Sequence, residues 1–258
     1  MISDISAVEG RQLALSCDPA QTGDYAALTL ARHEGSDPNG RPIVRLLGMT
    51  RQKKVSYEIQ VMQIVNLTRR LLLPPYNAGG VTQILDSGGV GKPLLDHLRS
   101  ASPLTANTRG ISMHGGMRSW TSQSEGITRA SKVDIVTSLN NSFISKRLVY
   151  DPETPGLDLL DKEVLNLRQT TTAAGSVKIA AGRGHDDVLF SVAYIVYLMA
   201  EGPTGETAGW AESTVQYWDA IHNAKPPAEI EGGMPDHMLR DRGEMDRARK
   251  SSYRFKWS

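Results

Sequence analysis

Residues 81–100 read VTQILDSGGVGKPLLDHLRS. An apolar strand pattern, VTQILD, runs into a glycine-rich turn, and Pro93 stands where the first turn of a helix begins. Strand, glycine turn and helix are the parts of a phosphate-binding loop, and counting tests that reading. Such a loop needs Gly, four residues and then Gly-Lys-Ser/Thr, so that backbone amides wrap the phosphates and the hydroxyl binds magnesium. Five residues before Gly91 stands Asp86, and Lys92 is followed by Pro93, which has no hydroxyl. The dinucleotide pattern GxGxxG fails too, since Gly89 and Gly91 lead into Lys92, Pro93 and Leu94. What remains is a carboxylate delivered to the end of a strand, with glycines that let a neighbour approach closely. The plainer alternative is an Asp that only opens a turn.

Upstream, RQLALSCDP (11–19) alternates Leu13, Leu15 and Cys17 against Ala14, Ser16 and Asp18, the period of a strand. PAQTGD is a turn by composition, YAALTLAR a second strand, EGSDPNGRP another turn and IVRLLGMT a third strand. Short connections imply antiparallel neighbours, so residues 11–50 are expected as a three-stranded meander. In VSYEIQVMQIVNLTRRLLL, Ile59, Met62, Gln63, Val65 and Asn66 recur at helical spacing, and the helix ends before Pro74-Pro75. The strand 81–86 and helix 92–100 follow, then a fifth strand in ANTRGISMHGG. Helices are expected over 131–146 and 157–169, and SVKIAAG is a short strand or an extended approach to the last helix. That helix, DDVLFSVAYIVYLMAE, is apolar nearly all round and belongs in the interior. The sum is an α/β fold: three antiparallel strands followed by parallel strands in one mixed sheet, flanked by helices. If the strand at 81–86 lies parallel beside that at 12–18, Asp18 and Asp86 end at the same sheet edge, where open α/β sheets place their ligands.

A third acidic element, His185-Asp186-Asp187, opens the buried helix. Asp186 serves there as an N-cap and Asp187 as a favourable first-turn charge. A helix buried on every side, however, brings its N-terminus near the core, where unpaired charges are costly. Two acids there, close to Asp18 and Asp86, call for a counter-ion. Oxygen ligands with one cysteine in the chain select magnesium or manganese over zinc. Three or four carboxylates hold two such ions roughly 3.5–4 Å apart, one to activate water and one to stabilise a leaving 3′ oxygen.

Bulk properties exclude several classes. Apolar residues make up 40% and charged residues 22%, enough for a packed core and against global disorder. The lone Cys17 excludes an internal disulfide and suits a reducing cytoplasm. No apolar run reaches a membrane span, and MISDISAVEGRQ does not read as a signal peptide. A net charge of +1 does not advertise nucleic-acid binding. The tail is different: Arg240, Arg242, Arg247, Arg249, Lys250, Arg254 and Lys256 face only Asp241, Glu244 and Asp246. It is a solvated chain end or an arm for phosphate or protein. Residues 1–10 are read as an extension, 11–202 as the catalytic domain and 203–258 as a partly ordered appendage whose Trp218 and Trp257 pack locally or on a partner.

The segments LALSCDPAQTGDYAALTL (13–30), ILDSGGVGKPLLDHL (84–98) and GRGHDDVLFSVAYIVYL (182–198) resemble the nuclease domain of tailed-bacteriophage large terminase subunits. That family belongs to the RNase H-like superfamily of two-metal nucleases. The likeness runs more loosely through SKVDIVTSLNNSFISKRLVY and LLDKEVLNLRQ, over roughly residues 11–201. It implies an RNase H-like fold and a metal-dependent endonuclease that cuts concatemeric double-stranded DNA during packaging. It implies Asp18, Asp86, Asp187 and Asp186 as ligands of two Mg2+ or Mn2+ ions, with Asp187 direct and Asp186 a cap or further ligand. Asp24 matches an acid of the family's first hairpin and is expected in a turn role, or at most behind the ligands. The implied setting is the host cytoplasm at the procapsid, with portal protein, small terminase subunit and an ATPase motor as partners. This chain has no Walker A loop of its own, so the motor is either another part of a longer protein or a separate polypeptide. Another nuclease of the superfamily, resolvase or transposase-like, and a catalytically silent DNA- or capsid-docking module are the rival readings. Around the site, Lys92, Lys132, Arg118 and His185 are candidate DNA contacts, against the alternatives of solvated lysines, a long connecting loop at 114–126 and a histidine that only packs.

Overall fold

The computed structural model describes residues 7–20, 24–89, 91–103, 106–115, 119–122, 124–171, 177–182 and 184–201. Expectations for the appendage at 203–258 and for Arg118 fall outside these residues.

The expected meander is present as β1 (Gln12–Asp18), β2 (Tyr25–Ser36) and β3 (Pro42–Lys53), paired antiparallel in that order. Helix α1 (Tyr57–Leu72) follows, then β4 (Gly80–Asp86), α2 (Gly91–Ala101) and β5 (Ala106–His114). Strand β4 lies parallel to β1 on one side and to β5 on the other. Two strands not expected from the sequence follow: β6 (Trp120–Ser122) lies within the stretch 114–126 read as a loop, and β7 (Ile127–Ser131) comes directly after it and runs parallel to β5. Helix α3 (Lys132–Ile144) is capped by Ser131, whose hydroxyl accepts from the Asp134 N–H at 3.0 Å. A two-residue strand β8 (Leu148–Val149) closes the sheet, whose order is β6-β7-β5-β4-β1-β2-β3-β8.

Helix α4 (Leu157–Asn166) stops earlier than expected, and the chain turns into β9 (Leu167–Thr171), which pairs with β10 (Val177–Ala181) as a separate ribbon. The last helix, α5 (Asp187–Ile195), continues through wider π-helical turns over Val196–Glu201.

Period-two alternation in the central strands assigns each face its cover. Leu13, Leu15 and Cys17 of β1, Leu30 of β2 and Leu85 of β4 pack with Val61, Ile64 and Leu71 of α1 and Leu95 and Leu98 of α2. The opposite face of β1 and β2 is built of small residues, Ala14, Ser16, Ala27, Thr29 and Ala31, all fully buried. Small side chains let α5 lie close, and Thr29 Oγ1 meets Ser191 Oγ at 2.6 Å across the contact. Asp18 is in phase with Ala14 and Ser16, so the strand's own pleat directs its carboxylate toward α5.

Of the residues that recur at helical spacing in α1, Val65 is buried but the apolar Ile59 and Met62 are not. Ile59 and Met62 are 49% and 59% exposed, while Gln60, Val61, Ile64, Val65, Thr68 and Leu71 are buried. The buried side includes two polar residues, Gln60 and Thr68. Gln60 Nε2 donates to the carbonyls of Ala20 and Val55, and Thr68 Oγ1 accepts from Gln83 of β4. The Gln60 bond at 2.6 Å to Ala20 ties down the chain just beyond Asp18.

Candidate active site

Cys17 stands opposite Leu85 in the parallel β1–β4 pair, so the next residue on each strand is a carboxylate, and the two stand side by side. The glycine turn after β4 closes on Asp86. The Gly88 N–H donates to Asp86 Oδ1 at 2.7 Å, and the Gly91 N–H donates to the Gly88 carbonyl at 2.8 Å. A Cβ placed on Gly91 would stand 2.0 Å from the Asp86 carbonyl oxygen, so this position requires glycine. The turn thus binds a carboxylate of its own chain at an amide that a phosphate loop would offer to a nucleotide. From α5, the Tyr194 hydroxyl donates to Asp86 Oδ2 at 2.8 Å. Burial raises the Asp86 carboxyl above the ordinary range, with these two hydrogen bonds opposing it.

Asp18 is raised well above that range, first by burial and then by the negative charges of Asp86, Asp187, Asp186 and Asp24. Behind it, the Cys17 thiol is pushed up by burial and by the same two strand-end acids. It is therefore an inert packing residue rather than a nucleophile.

The N-terminus of α5 brings the third acidic element to this place, but not by the capping expected. Asp186 occupies the N-cap position without a side-chain capping bond. Glu163, buried on α4, takes over: its Oε2 accepts from the Leu189 N–H at 2.8 Å and its Oε1 pairs with Arg51 Nη1 at 3.0 Å. Asp186 instead faces Lys132 Nζ at 3.6 Å, and that ammonium also lies 4.4 Å from the Phe190 ring centroid. Glu163 was not singled out from the sequence, since an acid in an amphipathic helix reads as solvated.

Asp187 is 7% exposed, and its Oδ2 is buried and accepts no hydrogen bond. Burial pushes its carboxyl up to about 7, followed by repulsion from Asp24 and Glu163, with His185 opposing. Asp24, expected in a turn role, reaches across from the start of β2. Its Oδ1 lies 2.9 Å from His185 Nδ1, and that nitrogen lies 3.6 Å from Asp187 Oδ2. One ligand atom from each of Asp24, His185 and Asp187 falls within a 4.8 Å span. The Tyr25 ring packs edge-on against His185 at 4.6 Å between centroids, with Arg51 and Lys53 at 4.6 and 5.1 Å from its face.

The candidate DNA contacts divide. Lys132 and His185 belong to the acidic site. Lys92 pairs with Glu125 at 3.2 Å, which ties its ammonium to the segment before β7. Trp120 packs on His114 at 5.1 Å and beneath Arg129 at 5.8 Å.

No protein-family model and no curated protein matches this chain. Solved structures do. The large terminase nuclease of thermophilic phage G20c with bound magnesium is 18% identical, with a TM-score of 0.51 over 72% of this chain and 80% of that one. A structure of the same nuclease with bound cobalt matches equally. The large terminase nuclease domain of Thermus phage P74-26 is also 18% identical, with a TM-score of 0.50 over 76% of this chain and 83% of that one. At this identity the likeness establishes the fold: the mixed sheet and its flanking helices are RNase H-like, as in these nuclease domains.

Proposed function

We propose that this chain is a divalent-metal-dependent endonuclease of a viral genome-packaging terminase, cutting concatemeric double-stranded DNA by two-metal phosphodiester hydrolysis. The observation that carries the reading is the meeting of Asp18, Asp86, Asp186 and Asp187 from three elements, with Asp187 Oδ2 buried and accepting no hydrogen bond. Burial first, and then the negative charges of neighbouring acids, raise Asp18 well above the ordinary carboxylate range and push Asp187 up to about 7, which marks a site short of positive charge. A cation restores the balance, and a donor set of carboxylate oxygens suits Mg2+ or Mn2+. Asp18, Asp86, Asp187 and Asp186 are the ligands we assign. Divalent ions bound there would supply the positive charge that lowers the pKa of an attacking water and steadies the leaving 3′ oxygen.

The chain's own residues do the rest. Tyr194 and the Gly88 amide fix the Asp86 carboxylate in one orientation, so it needs no reorganisation when charge arrives. Glu163 holds the first turn of α5 and so sets where Asp187 stands. The positive end of α5 favours anions beside it, whether its own carboxylates or a phosphate. Lys132, weakly held at 3.6 Å, is placed to contact a DNA phosphate at the edge of the site. Portal protein, a small terminase subunit and an ATPase motor are the partners we propose, in the host cytoplasm.

Plasmid digestion tests the reading, using wild type and Asp86→Ala with manganese, with magnesium and with chelator. Nicked and linear products are expected only from wild type with metal. Cleavage that survives both the chelator and the substitution overturns it.

A further inference from the structure

The four strand-end and helix-start carboxylates are matched by a second grouping at the outer rim of the site. Asp24, His185 and Asp187 come from the start of β2, from the residue two before α5 and from its first turn. Donor atoms bonded at roughly 2.0–2.2 Å to one ion lie at most about 4.4 Å apart. The three ligand atoms here already fall within 4.8 Å, so closing on an ion takes only a sub-ångström adjustment. An independent observation aims the same way. Asp187 Oδ2 is buried, takes no hydrogen bond and points to the histidine nitrogen at 3.6 Å, a distance that leaves the oxygen without a donor. The neighbouring Tyr25 ring packs edge-on against the imidazole and holds it from the side.

We infer that His185 is a nitrogen ligand of a mixed site formed with Asp24 and Asp187, and that this site selects a divalent transition ion over Mg2+. The inference rests on the nuclease reading only for its setting; the ligand set stands on the geometry alone. The selectivity follows from ligand chemistry. Magnesium dehydrates reluctantly and takes oxygen, whereas imidazole raises affinity along the series from Mn2+ to Co2+. Asp18 and Asp86, with oxygen donors alone, have no such bias. The two ends of one acidic cleft therefore differ in the ion they prefer, and Asp187 stands between them.

Cobalt reports this directly, since its visible ligand-field absorption responds to nitrogen coordination. The metal-free full chain is titrated with Co2+ and separately with Mg2+, followed by absorption and calorimetry, for wild type, His185→Ala, His185→Gln and Asp86→Ala. Wild type is expected to show a cobalt band that Mg2+ in excess does not remove. His185→Ala and His185→Gln are expected to weaken Co2+ by about tenfold or more, the scale seen when a metal site loses a supporting group, with Mg2+ affinity little changed. Asp86→Ala is expected to keep the band. A cobalt spectrum and affinity unchanged in both His185 variants overturns the inference, as does equal loss of Co2+ and Mg2+. Circular dichroism confirms that each variant is folded. Plasmid cleavage by the same samples keeps the two ideas apart. A histidine-dependent cobalt band without cleavage refutes the nuclease reading alone. Cleavage with an unchanged band refutes the histidine ligand alone.

Discussion

Asp86 and Asp187 belong to one cluster and are held in opposite ways. Asp86 has a donor on each oxygen, one from its own turn and one from Tyr194. Asp187 is buried, yet one of its oxygens is left bare. The first carboxylate is oriented by protein donors and the second is kept in deficit. That difference separates a group whose geometry is fixed before any ion arrives from one whose charge is tolerable only afterwards. It also distributes the cost: hydrogen bonds stabilise Asp86 in the fold, while Asp187 is a strain the fold carries for the site.

The widest break in this comparison is removal of the oriented carboxylate. Asp86→Ala is expected to lower metal-dependent cleavage by about a hundred- to a thousandfold, the scale of losing one preorganised electrostatic group. Gel assays at saturating Mn2+ with the circular dichroism spectrum retained check it. Next in size is Glu163→Ala, which strips α5 of its cap and leaves Arg51 without its buried partner. Breaking a buried pair costs about 3 kcal/mol, read as a fall in denaturation midpoint with unchanged slope.

Asp187→Asn sharpens the contrast from the other side. The folded carboxyl sits at about 7, against an unfolded value near 3.8. Between these values the folded state binds more protons, so the metal-free wild type loses stability as pH rises from about 4 to 7 and stays lower above it. The variant removes that loss and is expected to be more stable at pH 8 by about 2 kcal/mol, with no gain at pH 3.5. Thermal unfolding in chelator across pH decides it, and a variant less stable at pH 8 contradicts the deficit. Smallest is Tyr194→Phe. Loss of one charge-assisted hydrogen bond is expected to cost about 1–2 kcal/mol of stability and less than about tenfold in cleavage. A loss of cleavage as large as that of Asp86→Ala would make Tyr194 a reacting group rather than a support.

The strand order around the site was legible because alternation and strand-end acids are local signals. In LALSCD one period-two pattern gives the strand, its two faces and the direction of Asp18. The helix α5 was legible from its apolar run, and Asp186 and Asp187 from standing at its start. What escaped depends on partners distant in the chain. Asp24 and His185 meet across 161 positions, and nothing in either neighbourhood announces the other. Glu163 looks like any acid on a half-exposed helix until the bare amides of α5 are set against it. The buried side of α1 was not legible, because Gln60 and Thr68 are buried for their hydrogen bonds, which no hydropathy pattern records. Strands β6 and β7, in and just after a glycine- and serine-rich stretch, owe their pairing to partners, β7 to β5 and β6 to β7.

The order of strands has a consequence for time as well as for place. β4 and β1 are the two middle strands of eight, each paired on both edges. Releasing Asp18 or Asp86 from its position means parting the sheet at its centre, an opening as rare as unfolding itself. Amide protons such as those of Cys17 and Leu85 should therefore exchange with solvent only through the global event. Small fluctuations at the rim can come and go many times while the two central carboxylates remain where the sheet has put them.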